Sequence, residues 1–286
     1  MTAAPASAYS RWTSRGVVHA LLVLAALYCV LPLIWLVTAA TKSMADFSAT
    51  GAFELGEWNL GANLRGLFSQ DGGVFVSWVV NSVLYAGIGA VLGALICAGC
   101  GYAIAKLDFP GRRLLFAITL TGVLVPTTAL ALPLYLLASQ VRVVGTFWAV
   151  FIPLLTFPFG VYLARVYAEV AVPDEVLEAA RSDGASELRM FAAVALPMMR
   201  PGVVTVFLFQ FVAIWNNFFL PLVMLTDPKL FPMSLGLYQW HSRVTQFPQY
   251  NPLVVTGSLL AVVPLVLAFV VLHRQWRSGL AAGSVR

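Results

Sequence analysis

The chain holds few side chains able to do chemistry, and it crowds many of them into one place. Six of its twelve acidic residues, Glu169, Asp174, Glu175, Glu178, Asp183 and Glu187, lie around the run EAARSDGAS, Glu178 to Ser186. The sequence as a whole is 60% hydrophobic and only 10% charged. Pro173 suits the first turn of a helix, and Asp174, Glu175 and Glu178 follow where negative charge favours the positive end of the helix dipole. Val176, Leu177 and Ala180 share a face. Gly184 is a natural stop, because a residue without Cβ takes up the left-handed conformation cheaply. Leu188, Phe191, Ala192 and Ala195 then recur at i, i+3, i+4 and i+7, which predicts a second amphipathic helix ending at Pro197. Ala179, Ala180, Gly184 and Ala185 make the tip of this hairpin smooth. A smooth tip with an acidic rim suits insertion into a groove on another protein. A plain connecting loop has no need of alanines beside a glycine turn.

Other chemistries find no support. No GxxxxGK[ST] pattern occurs, so the chain does not bind ATP by a P-loop, and energy must come from a partner or an ion gradient. His19, His241 and His273 are scattered, and no HExxH or Ser-His-Asp spacing is present, which argues against an enzyme. Cys97 and Cys100 form a CxxC inside an apolar stretch with no second pair or nearby His, the context of small packing residues and not of a metal or redox site. No cofactor and no metal are expected.

The elements that must carry the polar run are membrane helices. The mean hydropathy is +0.87, too apolar for an ordinary soluble domain. A spanning helix needs about 20 mostly apolar residues. Six stretches free of Asp, Glu, Lys and Arg qualify: Val17 to Ala40, Val79 to Ala105, Leu114 to Ser139, Thr146 to Ala164, Val203 to Thr226 and Pro252 to Leu272. Each is too long for a barrel strand and lacks its alternation. The expected fold class is all-α, a polytopic integral membrane protein with six transmembrane helices. The first stretch is too long for a leader's apolar region and reads as a retained helix.

Arg11, Arg15, Lys106, Arg112, Arg113, Arg165, Arg181, Arg189, Arg200, Arg274, Arg277 and Arg286 fall on one side of this scheme, and Lys42, Arg65, Arg142, Lys229 and Arg243 on the other. That bias places both termini in the cytoplasm. The expected organisation is a cytoplasmic tail over 1–16, a membrane domain over 17–272 that includes a cytoplasmic loop over 165–200, and a cytoplasmic tail over 273–286. The net charge of +5 is then a topology signal, and without a basic run no nucleic-acid partner is implied.

Residues 41–78 read as an external segment with short helices. Gly89, Gly93, Cys97, Gly101 and Ala105 put small residues on one face of the second helix, where another backbone can approach closely. Pro110 and Gly111 turn the chain in KLDFPGRR, and Pro126 and Pro133 are expected to interrupt the third helix. With no ionisable Asp, Glu, Lys or Arg in any span, an ion-coupled carrier is the weaker reading.

Glu178, Ala179 and Ala180, then Gly184, then Leu196 and Pro197 resemble the EAA loop of ABC-importer permeases. NSVLYA at Asn81, YAIAKLDFPGRR at Tyr102, VPTTALALPLYLL at Val125, WNNFFLPLVML at Trp215 and GLAAGSV at Gly279 are similar to carbohydrate-uptake permeases of the kind of the smaller maltose permease subunit. Ser182 departs from the Ile or Val frequent before the Asp. The resemblance implies that Glu178, Ala179, Ala180, Asp183, Gly184, Ala185, Ser186, Leu196 and Pro197 form a coupling element inserted into an ATPase subunit. It also implies a second homologous permease, two cytoplasmic ABC ATPase subunits that bind the ATP, an extracytoplasmic solute-binding protein, and a bacterial or archaeal cell membrane.

Sugars are held by aromatic faces and neutral hydrogen-bonding groups. Trp215, Asn216, Asn217 and Gln210 in the fifth segment and Tyr135 in the third supply both, although such residues also lock helix packing. A pathway without charge fits an uncharged solute. A polyol or glycerophosphodiester, or an autonomous secondary carrier, remains an alternative.

Overall fold

A computed structural model describes the backbone of residues 8–282 and the side chains of residues 16–273. The last part of the GLAAGSV run and the side chains of Arg11, Arg15, Arg274, Arg277 and Arg286 lie outside the described residues. Among the described residues the chain is all helical, with no strand. This is the outcome expected where no water is present to satisfy backbone groups.

The helices run in order α1 (Ala8–Ala40), α2 (Asp46–Ala49), α3 (Leu60–Ser69), α4 (Val74–Lys106), α5 (Arg112–Leu124), α6 (Thr127–Gln140), α7 (Phe147–Leu154), α8 (Pro158–Ala171), α9 (Asp174–Ser182), α10 (Glu187–Met198), α11 (Arg200–Trp215), α12 (Phe219–Met224), α13 (Met233–His241) and α14 (Tyr250–Ala282). Four stretches are long and apolar enough to cross a membrane: Gly16–Ala40, Val74–Lys106, Phe147–Ala171 and Tyr250–His273. The pair α5 and α6 is bent by 102°, and the pair α10 and α11 by 81°, so the number of spans is four, or up to six if each bent pair is one.

The breaks refine the sequence expectation. Pro126 breaks the third segment, but Pro133 does not: it sits at the start of the regular helix Ala131–Gln140, where a missing N–H costs nothing. The fourth segment is interrupted between Leu154 and Pro158. The fifth stops at Trp215 and resumes only at Phe219, so Asn216, Asn217 and Phe218 form a break and not a helix interior.

The chain divides into two compact units. One comprises the chain up to Leu67 together with Trp240–Leu260. In it Asn63 Nδ2 donates to the carbonyls of Ala40 and Lys42, both at 2.9 Å, and ties α3 to the end of α1. A small core forms around Ala39, Ala40 and Val255. The Ser43 amide and hydroxyl donate to the Asp46 carboxylate at 2.9 and 2.8 Å and close the turn that leads into the short α2.

The second unit comprises Phe68–Gln239 and the chain from Ala261 onward. Its centre is the packing of α4 on α8 and α11. Gly89, Gly93, Cys97 and Gly101 are buried, as their register predicts. A Cβ on Gly101 would stand 2.6 Å from the Arg165 nitrogen and 2.7 Å from the Ala164 carbonyl carbon, so the two backbones touch there. At the other end of α4, Trp78 Nε1 donates to the Pro228 carbonyl at 2.8 Å. Asn81 Nδ2 reaches the carbonyls of Lys229 and Phe231 at 2.8 and 3.1 Å, and Ser82 Oγ accepts from the Met233 amide at 2.7 Å. The segment joining α12 to α13 thus has its backbone groups met by side chains of one helix face.

Candidate functional site

The polar run folds as a hairpin of α9 and α10. Pro173 is the N-cap of α9 with extended backbone, and Lys106 of α4 holds Asp174 at its first turn, Nζ to Oδ1 2.7 Å. The turn is a Schellman motif: Gly184 has φ +81°, its amide donates to the Arg181 carbonyl, and the Ala185 amide donates to the Ala180 carbonyl, both at 3.0 Å. The alanines of that pair are half-buried and pack on the core below, the hydrophobic contact that accompanies the motif. Ser186 then caps α10, its hydroxyl accepting from the Arg189 amide at 3.4 Å. Arg181 bridges to Glu187 at 3.0 Å across the turn.

Leu177, Met190, Ala195 and Met199 anchor the hairpin in a core shared with Tyr102 of α4, Ala164 and Ala168 of α8 and Val206 of α11. Glu178, Ala179, Asp183, Gly184 and Ser186 face outward and are exposed, as is Pro197, while Leu196 is half-buried. A Cβ on Gly184 would meet nothing within 4 Å.

The second helix of the hairpin departs from the expected pattern. It continues through Pro197 to Met198, and a π-turn over Phe191–Ala195 inserts one residue into its register. Met190, Ala195 and Met199 are the buried positions, whereas Leu188, placed on the core face by its spacing, is 77% exposed. The π-turn cannot be read from residue types, because no Gly or Pro marks it. Leu188 is therefore an apolar side chain presented beside the acidic tip, a feature the periodicity concealed.

The five residues proposed for a solute path separate into two groups. Trp215 is buried, stacks on Phe211, and donates from Nε1 to the Ala261 carbonyl at 3.0 Å. Asn216 is exposed and bonds one turn back, to the Val212 carbonyl at 2.8 Å. Tyr135 is half-buried and, with these two, is not among the residues lining the cavity. Gln210 and Asn217 do line a cavity of about 310 Å³. Its wall is built where three segments break: Val125 and Thr127 beside Pro126, Leu154 to Pro158 between α7 and α8, and Asn217 after α11. None of its lining residues is ionisable. Sequence reasoning missed Thr127, Thr156 and the Leu154 carbonyl; the signal available was Pro158, which withholds the N–H that Leu154 would otherwise receive.

The hairpin is exposed at its tip and rooted in α8 and α11, which also contribute to the wall of the neutral cavity. Residues 90–276 match the family described as binding-protein-dependent transport system inner membrane component. The chain is 33% identical over 216 residues to the arabinooligosaccharides transport system permease protein of Halalkalibacterium halodurans, covering 76% of each. It is 30% identical over 283 residues to the maltodextrin transport system permease protein of Bacillus subtilis, covering 97% of this chain and 98% of that one. In fold it is similar to a chain of the crystal structure of a bacterial ABC transporter involved in the import of the acidic polysaccharide alginate, with TM-score 0.81, 21% identity, and coverage of 95% and 99%. This chain belongs to the binding-protein-dependent transport system inner membrane component family and is a multi-pass cell-membrane protein.

Proposed function

We propose that the chain is a permease subunit of an ATP-driven sugar importer. Six spans with both termini in the cytoplasm line half of a pathway, and a second homologous permease lines the other half. Two cytoplasmic ABC ATPase subunits bind the ATP and grip the hairpins, and an extracytoplasmic binding protein delivers the solute. The names of relatives that carry arabinooligosaccharides and maltodextrin support a sugar as the cargo.

The observation that carries the reading is the Schellman turn at Gly184, its exposed acidic tip and the uncovered Leu188, all rooted in the core of α4, α8 and α11. Closure of the ATPases moves the tip. Because α9 and α10 share that core, the movement reaches the broken segments around the cavity, a coupling argued from contiguity. Glu178, Ala179, Ala180, Asp183, Gly184, Ala185, Ser186, Leu196 and Pro197 are the docking residues in this scheme.

Purification of the chain from native membranes in mild detergent, followed by mass spectrometry, tests it. Recovery of an ATPase and a second permease is expected, and recovery of the chain alone under conditions that preserve such complexes would overturn it. In Gly184→Asp the left-handed backbone adds about 1 kcal/mol of local strain, and the added Cβ meets nothing within 4 Å among the described residues. The variant should insert normally and lose its ATPase. Unchanged ATPase retention would refute the docking geometry.

A further inference from the structure

The segment that follows α1 closes on itself. The Asn59 amide donates to the Thr41 carbonyl at 2.8 Å, so residues 42–58 form a loop whose two ends meet one residue past the end of α1. A loop facing water keeps its charges outward and its large apolar side chains in. This one reverses much of that order. Lys42 is only 3% exposed, and its ammonium donates to the Gly51 carbonyl at 2.6 Å. The Asp46 carboxylate is occupied by the Ser43 amide and hydroxyl, and Gly56 leaves room for it, since a Cβ there would stand 2.5 Å from its carbon and Oδ2. Glu54 Oε2 accepts from the Gly51 amide at 2.7 Å. Met44 and Phe53, by contrast, are exposed, Leu55 is 69% exposed and Trp58 75%. Apolar side chains clustered outward on one loop mark a surface that meets something other than water.

The depth of the loop is set by what it rests on. Trp58 is next in sequence to the residue bonded to Thr41, and Phe47 packs against Ala39, Ala40 and Val255. Those residues belong to Gly16–Ala40 and Tyr250–His273, two of the stretches long and apolar enough to cross a membrane. The first has 25 residues, more than the roughly 20 needed to span the hydrocarbon, so its last turn reaches the edge of the lipid. Leu33, Ile34 and Val37 near that end are exposed as well. A tryptophan at this level is suited to the boundary, its ring in the apolar layer and its N–H in the wet one. Lys42 and Asp46, the groups a protein partner would pair with, are already engaged within the loop. Glu54 and Glu57 stay at the surface, where headgroups and water can solvate them.

We propose that this loop is a lipid-interface anchor. Phe53, Leu55 and Trp58 enter the boundary between headgroups and acyl chains in the leaflet at which α1 ends, with Glu54 and Glu57 at headgroup level. The anchor rests on the chain being a multi-pass membrane protein and is independent of what the chain transports.

The test asks what touches the loop. Leu55→Cys and, separately, Trp58→Cys are made in a background with Cys29, Cys97 and Cys100 replaced, and each is labelled with a polarity-sensitive fluorophore. The chain, together with the subunits that copurify with it, is reconstituted in phosphatidylethanolamine and phosphatidylcholine vesicles. Quenching is compared between lipids carrying a nitroxide near the top of the acyl chain and a water-soluble nitroxide. Emission at shorter wavelength than the free adduct in buffer, and stronger quenching by the lipid nitroxide, are expected. Quenching by the soluble reagent alone would place the loop in water and overturn the proposal. Quenching by neither would mean that a protein covers it, which overturns the proposal equally.

A second measurement needs no label and keeps the native cysteines. Trp58 is one of eight tryptophans, and its exposure means that Trp58→Phe removes little packing from the fold. In vesicles of lipid brominated near the top of the acyl chain, the emission lost per mole of protein should be smaller in Trp58→Phe than in the parent. An equal loss would overturn contact between Trp58 and lipid.

Discussion

Replacing Gly101 by alanine adds one methyl group at the closest approach in the second unit. The new Cβ would lie 2.6 Å from the Arg165 nitrogen and 2.7 Å from the Ala164 carbonyl carbon. An ordinary carbon contact is about 3.5–4.0 Å, so α4 and α8 must separate by roughly 1 Å. The obstacle is backbone, which cannot rotate away as a side chain can. Overpacking costs about 1–3 kcal/mol, and an unyielding neighbour places this site near the top of that range. The loss of chain entropy that alanine avoids returns up to about 1 kcal/mol, leaving a net destabilisation of about 2 kcal/mol. Gly87 is the control, since a Cβ there meets nothing within 4 Å and alanine should be neutral or mildly stabilising. Thermal unfolding in detergent, followed by tryptophan fluorescence, should show Gly101→Ala melting roughly 4–8 °C below the parent chain while Gly87→Ala does not fall. Because α8 leads directly into the hairpin, the same variant should lose ATP-coupled uptake. Equal melting temperatures for the two variants would refute backbone contact between α4 and α8 at this point.

Two further predictions concern the path residues and the first unit. Trp215→Phe leaves the Ala261 carbonyl without its indole donor and should cost about 1–2 kcal/mol, whereas Asn216→Ala should stay within about 0.5 kcal/mol; uptake assays should find solute preference intact in both, and a changed preference would return them to the pathway. The Ser43 amide, and after it the Ser43 hydroxyl, hold the Asp46 carboxyl below its ordinary value of 3.8. Its contribution is therefore full above about pH 3.8 and is lost only as pH falls through the lower folded value. Hydrogen exchange over residues 43–50, corrected for intrinsic rate, should rise only below about pH 4; loosening already near pH 5 would exclude Asp46 as the cause.

Much of the molecule was legible in one dimension. Composition alone required helices in a membrane, since a chain this apolar cannot leave backbone groups unpaired in lipid. The Gly89, Gly93, Cys97 and Gly101 register announced a buried close-packed face, because period and size are local properties of a helix. The hairpin was readable for a similar reason: Gly184 supplies a positive φ that few residues adopt, and Ala180 and Ala185 fall at the positions its turn requires.

What the tertiary structure alone decided concerns register and partnership. The π-turn at Phe191–Ala195 turned Leu188 outward, and nothing in the residue types records that extra residue in the register. Pro133 was read as a break like Pro126, but a proline at a helix start removes an N–H that has no partner anyway. Trp215, Asn216, Asn217, Gln210 and Tyr135 were equivalent as polar or aromatic residues in apolar segments. Only the fold showed that the Trp215 indole pairs with the Ala261 carbonyl and the Gln210 amide with the Leu154 carbonyl, and that Gln210 and Asn217 line the cavity while the other three do not. Propensity and period act within a few residues along the chain, whereas the partner that satisfies or strands a buried polar group comes from a distant segment, and the order of residues does not state which segment that is.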